Sequence, residues 1–367
     1  NYTFGPEGTL VPGAFPSRLG NPSIKWETSE QTNIGFDARL FKSKLNIAFD
    51  VYKKDTKDWL INAPILATAG ADAPVINGGN VENSGVELGL TYQSSAGQFN
   101  YSVGINGAYN KNKVGQIPSA DGIVHGGNNQ LFDNSLEFYR AQNGFPIGYF
   151  WGLKTNGVFQ SEADVAAHRS SSGEVIQPTA APGDVRYVDL NDDGIINDLD
   201  RSEIGNPNPD YTFGFSFSGN YKGFDVSVLA SGVAGNELVQ SWRNHANTKA
   251  NYSAEILGRW HGPGSSTSIP RVTEDNRNWT QFSDLYIHEG DFLRISNVTV
   301  GYDLSKVLKK SYLSKVRIYA SALNLYTFTK YNGMDPEVGY GEGFSRGVDL
   351  SYYPRPRTFL LGANVRF

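Results

Sequence analysis

Val86-Glu-Leu88-Gly-Leu90-Thr-Tyr92, a Gly-containing turn near Ser95–Gln98, and Phe99-Asn-Tyr101-Ser-Val103-Gly-Ile105 together decide the fold. Apolar and aromatic residues take every second place, and Glu, Gly, Thr, Asn and Ser fill the places between. A period of two belongs to an extended strand, whose successive side chains point to opposite faces. The short polar turn joins two such strands into an antiparallel hairpin. A soluble β-sandwich shows this alternation with the apolar face turned into a core. A membrane barrel shows it inside out, with lipid on the apolar face and water on the other.

The same period recurs on both sides of this hairpin. Upstream lie Ile34-Gly-Phe36-Asp-Ala38-Arg-Leu40, a Lys-Ser-Lys turn, and Leu45-Asn-Ile47-Ala-Phe49-Asp-Val51. Downstream, Tyr211-Thr-Phe213-Gly-Phe215-Ser-Phe217 turns through Lys222-Gly223 into Phe224-Asp-Val226-Ser-Val228. Within Phe292–Leu304 the apolar parity switches between Leu293/Ile295 and Val298/Val300/Tyr302, which predicts a β-bulge near Ser296–Asn297. The run Val316–Thr329 is extended but ambiguous in facing, and Phe359–Phe367 alternates again.

Connection lengths separate barrel from sandwich. The links around 42–44, 95–98, 222–223 and 305–314 are short, whereas 61–82, 112–209, 235–284 and 331–356 are long, polar and rich in Gly, Asn and Pro. Long and short links alternate strictly. Compact soluble domains seldom carry several loops beyond about 15 residues, but outer-membrane barrels alternate short periplasmic turns with long extracellular loops. By that rule the last strand runs inward and residues 1–27 lie outside the cell. Nine strands are clear, and two more are expected near Tyr149–Phe159 and Asp184–Leu190. Either count is odd, whereas bacterial single-chain barrels have even counts. The expectation is therefore an all-β chain: an antiparallel transmembrane β-barrel portion, with residues 1–367 forming its C-terminal part.

Composition narrows the function. There are 32 Lys+Arg against 37 Asp+Glu and no Cys. The acidic balance argues against nucleic acid. Absence of Cys removes disulfides, Cys-ligated metal and a thiol nucleophile. No stretch nears the roughly 18 apolar residues of a transmembrane helix. A mean hydropathy of −0.40 reads as soluble, but barrel strands carry only a weak hydropathy signal. No nucleophile elbow, phosphate loop or dinucleotide fingerprint occurs. The five His (125, 168, 245, 261, 288) show no metal-ligand spacing.

Five blocks resemble one family. Gly20-Asn-Pro-Ser-Ile-Lys-Trp26-Glu-Thr-Ser-Glu-Gln-Thr-Asn-Ile-Gly35 and Asn80-Val-Glu-Asn-Ser-Gly-Val-Glu-Leu88 are similar to segments of SusC/RagA TonB-dependent outer-membrane transporters of Bacteroidetes. So are Pro182-Gly-Asp-Val-Arg-Tyr-Val-Asp-Leu-Asn-Asp-Asp-Gly194, Ile204-Gly-Asn-Pro-Asn-Pro-Asp-Tyr211 and Leu323-Asn-Leu-Tyr-Thr-Phe-Thr-Lys-Tyr331. The resemblance implies a barrel of about 22 strands around a plug, of which this chain supplies the last nine to eleven. It also implies a SusD-like surface lipoprotein partner, TonB acting through an N-terminal part with no counterpart here, and an oligosaccharide or peptide cargo.

Three sets of residues carry possible chemistry. Asp189-Leu-Asn191-Asp-Asp193-Gly194-Ile195-Ile-Asn197-Asp-Leu-Asp200 fits a twelve-position Ca²⁺ loop. Asp189, Asn191 and Asp193 would supply oxygens, Ile195 a backbone carbonyl and Asp200 the last acid. Asp in place of Glu at the last position is closer to a dockerin-like repeat, and a solvated Asx-turn loop would look the same. Tyr149, Phe150, Trp151, Trp242, Tyr252, Trp260 and Trp279 fall in outer loops, where aromatic faces suit sugar rings or peptide side chains. Loop packing accounts for the same residues. Tyr92, Tyr101, Tyr109, Tyr211, Tyr221 and Tyr302, embedded in strands, suit an interfacial girdle against the lipid bilayer. The terminal Phe367, after alternating apolar residues, resembles the signal read by the barrel-assembly machinery. Val307-Leu308-Lys309-Lys310 is expected to form a periplasmic helical turn. A secreted calcium- and glycan-binding β-sandwich or adhesin is the competing reading. A glycoside hydrolase needs two carboxylates across a cleft, whereas here the acids cluster in one loop.

Overall fold

The computed structural model describes all residues except 1, 5–8, 12–16, 63–69, 120, 129, 132–134, 248, 307–312 and 339–345. The expected turn at 307–310 lies outside the described residues. Nine long strands form one sheet: β1 (Thr28–Leu40), β2 (Leu45–Lys57), β3 (Asn80–Ala96), β4 (Phe99–Gln116), β5 (Tyr211–Tyr221), β6 (Phe224–Ala234), β7 (Phe292–Asp303), β8 (Lys315–Thr329) and β9 (Thr358–Arg366). They pair antiparallel in chain order, an up-and-down meander with β1 and β9 at its two edges. Links 41–44, 97–98, 222–223 and 304–314 close one end, and the long links gather at the other. At Lys222-Gly223 both φ angles are positive, as a two-residue turn matching strand twist requires.

Register gives the facing, because directly paired residues share a face. Phe36 pairs with Phe49, Val86 with Tyr109, Phe215 with both Ile105 and Ala230, and Ile318 with Tyr302. These define a continuous apolar outer face. Much of it is bare: Ile34 is 76 % exposed, Phe36 57 %, Phe359 71 % and Leu361 90 %. No second sheet of the described residues packs against it, which removes the β-sandwich reading.

The bulge falls where the parity switch placed it. Leu229 and Ala230 are consecutive on β6, but their partners on β7 are Asn297 and Ile295, leaving Ser296 as the extra residue. The bulge keeps Leu293 and Ile295 on the same outer face as Val298 and Val300. On β8 the next irregularity sets Asn324 at φ +51, a conformation Asn tolerates. Register also settles the ambiguous run: Ile318, Ala320, Ala322, Tyr326 and Phe328 face out.

Aromatic pairs mark both ends of the apolar belt. At the short-turn end Tyr92 meets Tyr101 at 6.0 Å, Phe99 meets Tyr221 at 6.5 Å, and Phe224 meets Tyr302 at 4.4 Å. At the loop end Tyr109 meets Tyr211 at 5.1 Å. From Tyr101 to Tyr109 the strand rises about 27 Å, or about 20 Å after the usual barrel tilt, most of the roughly 25 Å apolar band of an outer-membrane barrel. Above it β3 and β4 run on, with 17 and 18 residues where about 10 suffice to cross. There the outer face turns charged, with Lys53–Glu82 at 2.7 Å and Lys57–Glu30 at 2.6 Å.

The inner face is polar and repeatedly sets a glycine beside a larger neighbour. Asp50 lies over Gly35, Tyr52 over Gly85, Asn106 over Gly214, Arg317 over Gly301 and Tyr319 over Gly362. Arg317 reaches across Gly301 to Asp225, two strands away, with a bidentate pair at 2.8 and 2.5 Å.

The two further strands expected between 112 and 209 do not join this wall. Tyr149–Leu153, Thr155–Val158 and Val185–Tyr187 are strands of 5, 4 and 3 residues that pair only with other loop segments. They are too short to span a bilayer.

Candidate functional site: the loop assembly over the wall

The hydrophobic core of this molecule lies in its loops. Phe138, Tyr139 and Phe150 from 117–210, Val239, Phe282 and Tyr286 from 235–291, and Val348 from 330–357 form one buried cluster. Ile61, Val114, Ile117 and Ala141 form a second, which ties loop 58–79 to loop 117–210. A three-stranded sheet of Ile287–Glu289, Glu237–Gln240 and Val348–Asp349 joins the last two long loops. The loops therefore make one folded body.

Buried ion pairs lock it further. Arg271 grips Asp184 with bonds of 2.7 and 3.0 Å, and Asn278 adds a third at 3.1 Å. Burial alone would raise the Asp184 carboxyl, but these donors outweigh it and hold its pKa below the ordinary value. Arg294, buried on β7, donates to Thr327 at 3.0 Å, Glu337 at 2.7 Å and Asp335 at 2.5 Å, so it ties loop 330–357 to the wall. Beside it is a cavity of about 330 Å³ lined by Asn324, Thr327, Met334, Pro336 and Arg355. Sequence reading passed over Arg294. Its signal was a lone cation in an apolar strand, next to the bulge.

The aromatics proposed as binding platforms have their faces engaged. The Arg140 guanidinium covers Trp151 at 4.2 Å, and Arg243 covers Tyr252 at 3.9 Å. Trp260 packs on Gly183 and donates to Gln160 at 3.3 Å. Trp279 stacks on His245 at 4.8 Å and 10°. The Trp242 indole nitrogen is buried without a partner among the described residues. Burial and Arg243 push His245 down to about 3, so its ring is neutral. Trp151, Tyr252, Trp260 and Trp279 are thus each packed against a neighbour within the loop body. Among the described residues outside the nine strands, Trp26 at 91 % and Tyr353 at 89 % exposure present free aromatic faces, and neither was singled out from sequence.

The Asp189–Asp200 segment is a tightly stapled turn. Asp189 accepts from the Gly194 amide at 2.8 Å, Asn191 from Asp193 at 3.1 Å, and Asp193 from Ile195 at 2.9 Å. Asp200 is fully buried and brackets the loop by accepting from Leu190 and Asn197, both at 2.8 Å. Among the described residues no three His, Asp or Glu side chains converge to hold a metal. An ion here would need Asn191 and the Ile195 carbonyl beside the acids. One atom favours it: the buried Asp189 Oδ1 has no partner among the described residues.

An outward-facing apolar sheet with a rigid loop body at one end is the shape of an outer-membrane receptor. Residues 1–325 match the family described as TonB dependent receptor-like, beta-barrel. The chain belongs to that family. The TonB-dependent receptor P3 of Formosa agariphila is 31% identical over 97% of the chain and 36% of its own length. The TonB-dependent receptor SusC of Bacteroides thetaiotaomicron is 27% identical over all of the chain and 34% of its own length. This receptor chain thus spans about a third of the relatives it matches. The structure of the RagAB peptide transporter superposes at a TM-score of 0.75, with 21% identity, 95% of this chain and 36% of that one. At that identity the likeness is one of fold, and it agrees with the SusC/RagA resemblance read from the five blocks.

Proposed function

We propose that this chain forms part of the wall and the outer loops of a nutrient importer in the outer membrane of a Bacteroidetes-like cell. The observation that carries this reading is the inversion of hydrophobic packing: a bare apolar belt on the sheet, with aromatic pairs at both ends, and a buried core in the loops. The cargo is a large nutrient, an oligosaccharide or a peptide, taken in at the loop end and released along the polar inner face. TonB acts through a plug elsewhere in the full-length receptor, and a SusD-like surface lipoprotein covers the loop body. The relatives are receptors, which supports reading the chain as part of a transporter and not as an enzyme. The Asp189–Asp200 turn takes Ca²⁺ as a structural ion, on the strength of the orphaned Asp189 Oδ1.

The test uses the full-length gene. Its deletion is expected to abolish growth on one oligosaccharide or peptide source, and loss of TonB should reproduce the defect. A purified protein that is monodisperse without detergent and shows no heat-modified gel mobility would overturn the reading.

A further inference from the structure

The four-stranded sheet of the loop body orders its strands Arg201–Gly205, Tyr149–Leu153, Tyr139–Gln142 and Ile123–His125. Its two faces differ. Tyr139, Phe150 and Ile204 point into the core cluster. The opposite face carries a row of charge, in which His125 pairs with Arg140, Arg140 lies over Trp151, and Trp151 pairs with Glu203. No sequence motif announces this row, because its members are scattered over about 80 residues of loop.

Both nitrogens of the His125 ring meet carboxylates: Nδ1 meets Glu137 at 2.7 Å and Nε2 meets Asp121 at 2.9 Å. A carboxylate offers only acceptors, so a neutral imidazole would turn a lone pair toward one of them. Only the imidazolium satisfies both. Glu137, whose side chain is 14 % exposed, uses its other oxygen to hold Arg140, 11 % exposed. Arg140 in turn covers Trp151. Among the described residues, the charged groups facing His125 are Asp121 from its own turn, Glu137 from the segment before the next strand, and Arg140 from that strand. Glu203 stands beyond Trp151.

We propose that His125 is a positioning residue: as an imidazolium clamped between Asp121 and Glu137, it fixes the Glu137–Arg140 brace over Trp151 and makes the order of this outer sheet depend on external pH. The proposal rests on reading the loop body as the part that faces the medium and its cargo. Burial opposes charge on His125, but the two carboxylates outweigh it and raise its pKa above the ordinary histidine value. Asp121, held chiefly by His125, is lowered to about 2 and stays charged throughout. Stabilisation is therefore fully present below the free value of about 6.5, and is lost as pH rises through the raised one.

Hydrogen exchange of the full-length receptor in detergent tests this, with protection factors for residues 119–126 corrected for intrinsic base catalysis. Protection in the parent should fall about tenfold between pH 6 and pH 9. In His125→Gln it should be low and flat with pH; in His125→Lys, which keeps a cation, it should be high and flat. A flat profile in the parent, or the parental profile in His125→Gln, overturns the proposal. Should His125→Gln fail to assemble, Glu137→Gln and the parental profile decide by the same criterion. No cargo enters the measurement, so failed nutrient uptake would sink the transport reading alone.

Discussion

The wall and the loop body solve the same problem in opposite directions. In the wall, Phe36, Ile105, Phe215 and Leu361 face outward, and the hydrogen-bonded sheet needs no core. In the loop body, Phe138, Phe150 and Phe282 face inward, and short strands of 3–5 residues are held by side-chain packing. Backbone pairing carries the first region and hydrophobic burial in water carries the second. The lesson concerns solvent: residues of the same type mark an exterior in one half of the chain and an interior in the other.

The largest expected effect tests the loop core. Phe138, fully buried, meets Phe282 at 4.6 Å and Phe150 at 6.4 Å. Phe138→Ala should cost about 3–5 kcal/mol, confined to the loops: protease should cut within 117–210 and 235–291 while heat-modified gel mobility persists. Loss of both together would mean that wall and loops form one cooperative unit. Next comes the belt. Ile105 lies midway between Tyr101 and Tyr109 on the lipid face, so Ile105→Arg should cost about 2–4 kcal/mol in denaturant unfolding from bilayers. Its neighbour Asn106 faces the interior, and Asn106→Arg should cost about 0.5 kcal/mol or less. Equal costs would contradict the facing.

This contrast also explains what the sequence reading captured. Alternation locates a strand only while its two faces meet different solvents. It therefore revealed all nine wall strands within the belt and the bulge at Ser296. It failed above the belt, where Asn83-Ser84 and Asn110–Lys113 are polar on both sides, so β3 and β4 are longer than expected. It failed again in the loops, because a strand such as Tyr149–Leu153 is buried on both faces and too brief to show a period. There, the sequence fits open platforms and loop packing alike for the aromatics, and the structure sets Arg140 over Trp151, Arg243 over Tyr252, His245 against Trp279 and Gln160 on the Trp260 indole N–H. The Asp-rich turn was legible as a turn, because its spacing fixes the Asx bonds. The free Asp189 Oδ1 was not.

Smaller effects refine the comparison. Ca²⁺ should slow proteolysis between 189 and 200 severalfold, and Asp189→Ala should remove the difference; equal cutting with ion and with chelator would leave only the hydrogen-bonded turn. At the end of β9, Phe367 is 87 % exposed. Phe367→Ala should delay assembly into the outer membrane without altering which nutrient is taken up. Normal outer-membrane levels at early time points would refute a role for it in assembly.

The inner-face glycines have one more consequence. Tyr319 reclines on Gly362, Arg317 on Gly301 and Tyr52 on Gly85, and none of these glycines has room for a methyl group. A substitution at Gly301 or Gly362 would be felt away from itself, as a guanidinium or ring lifted off the wall, whereas at Gly85 it would first meet the Tyr109 backbone carbonyl. In the proposed importer the calibre of the passage would thus be governed by residues that have no side chain, and a single added carbon would act as an obstruction many atoms wide.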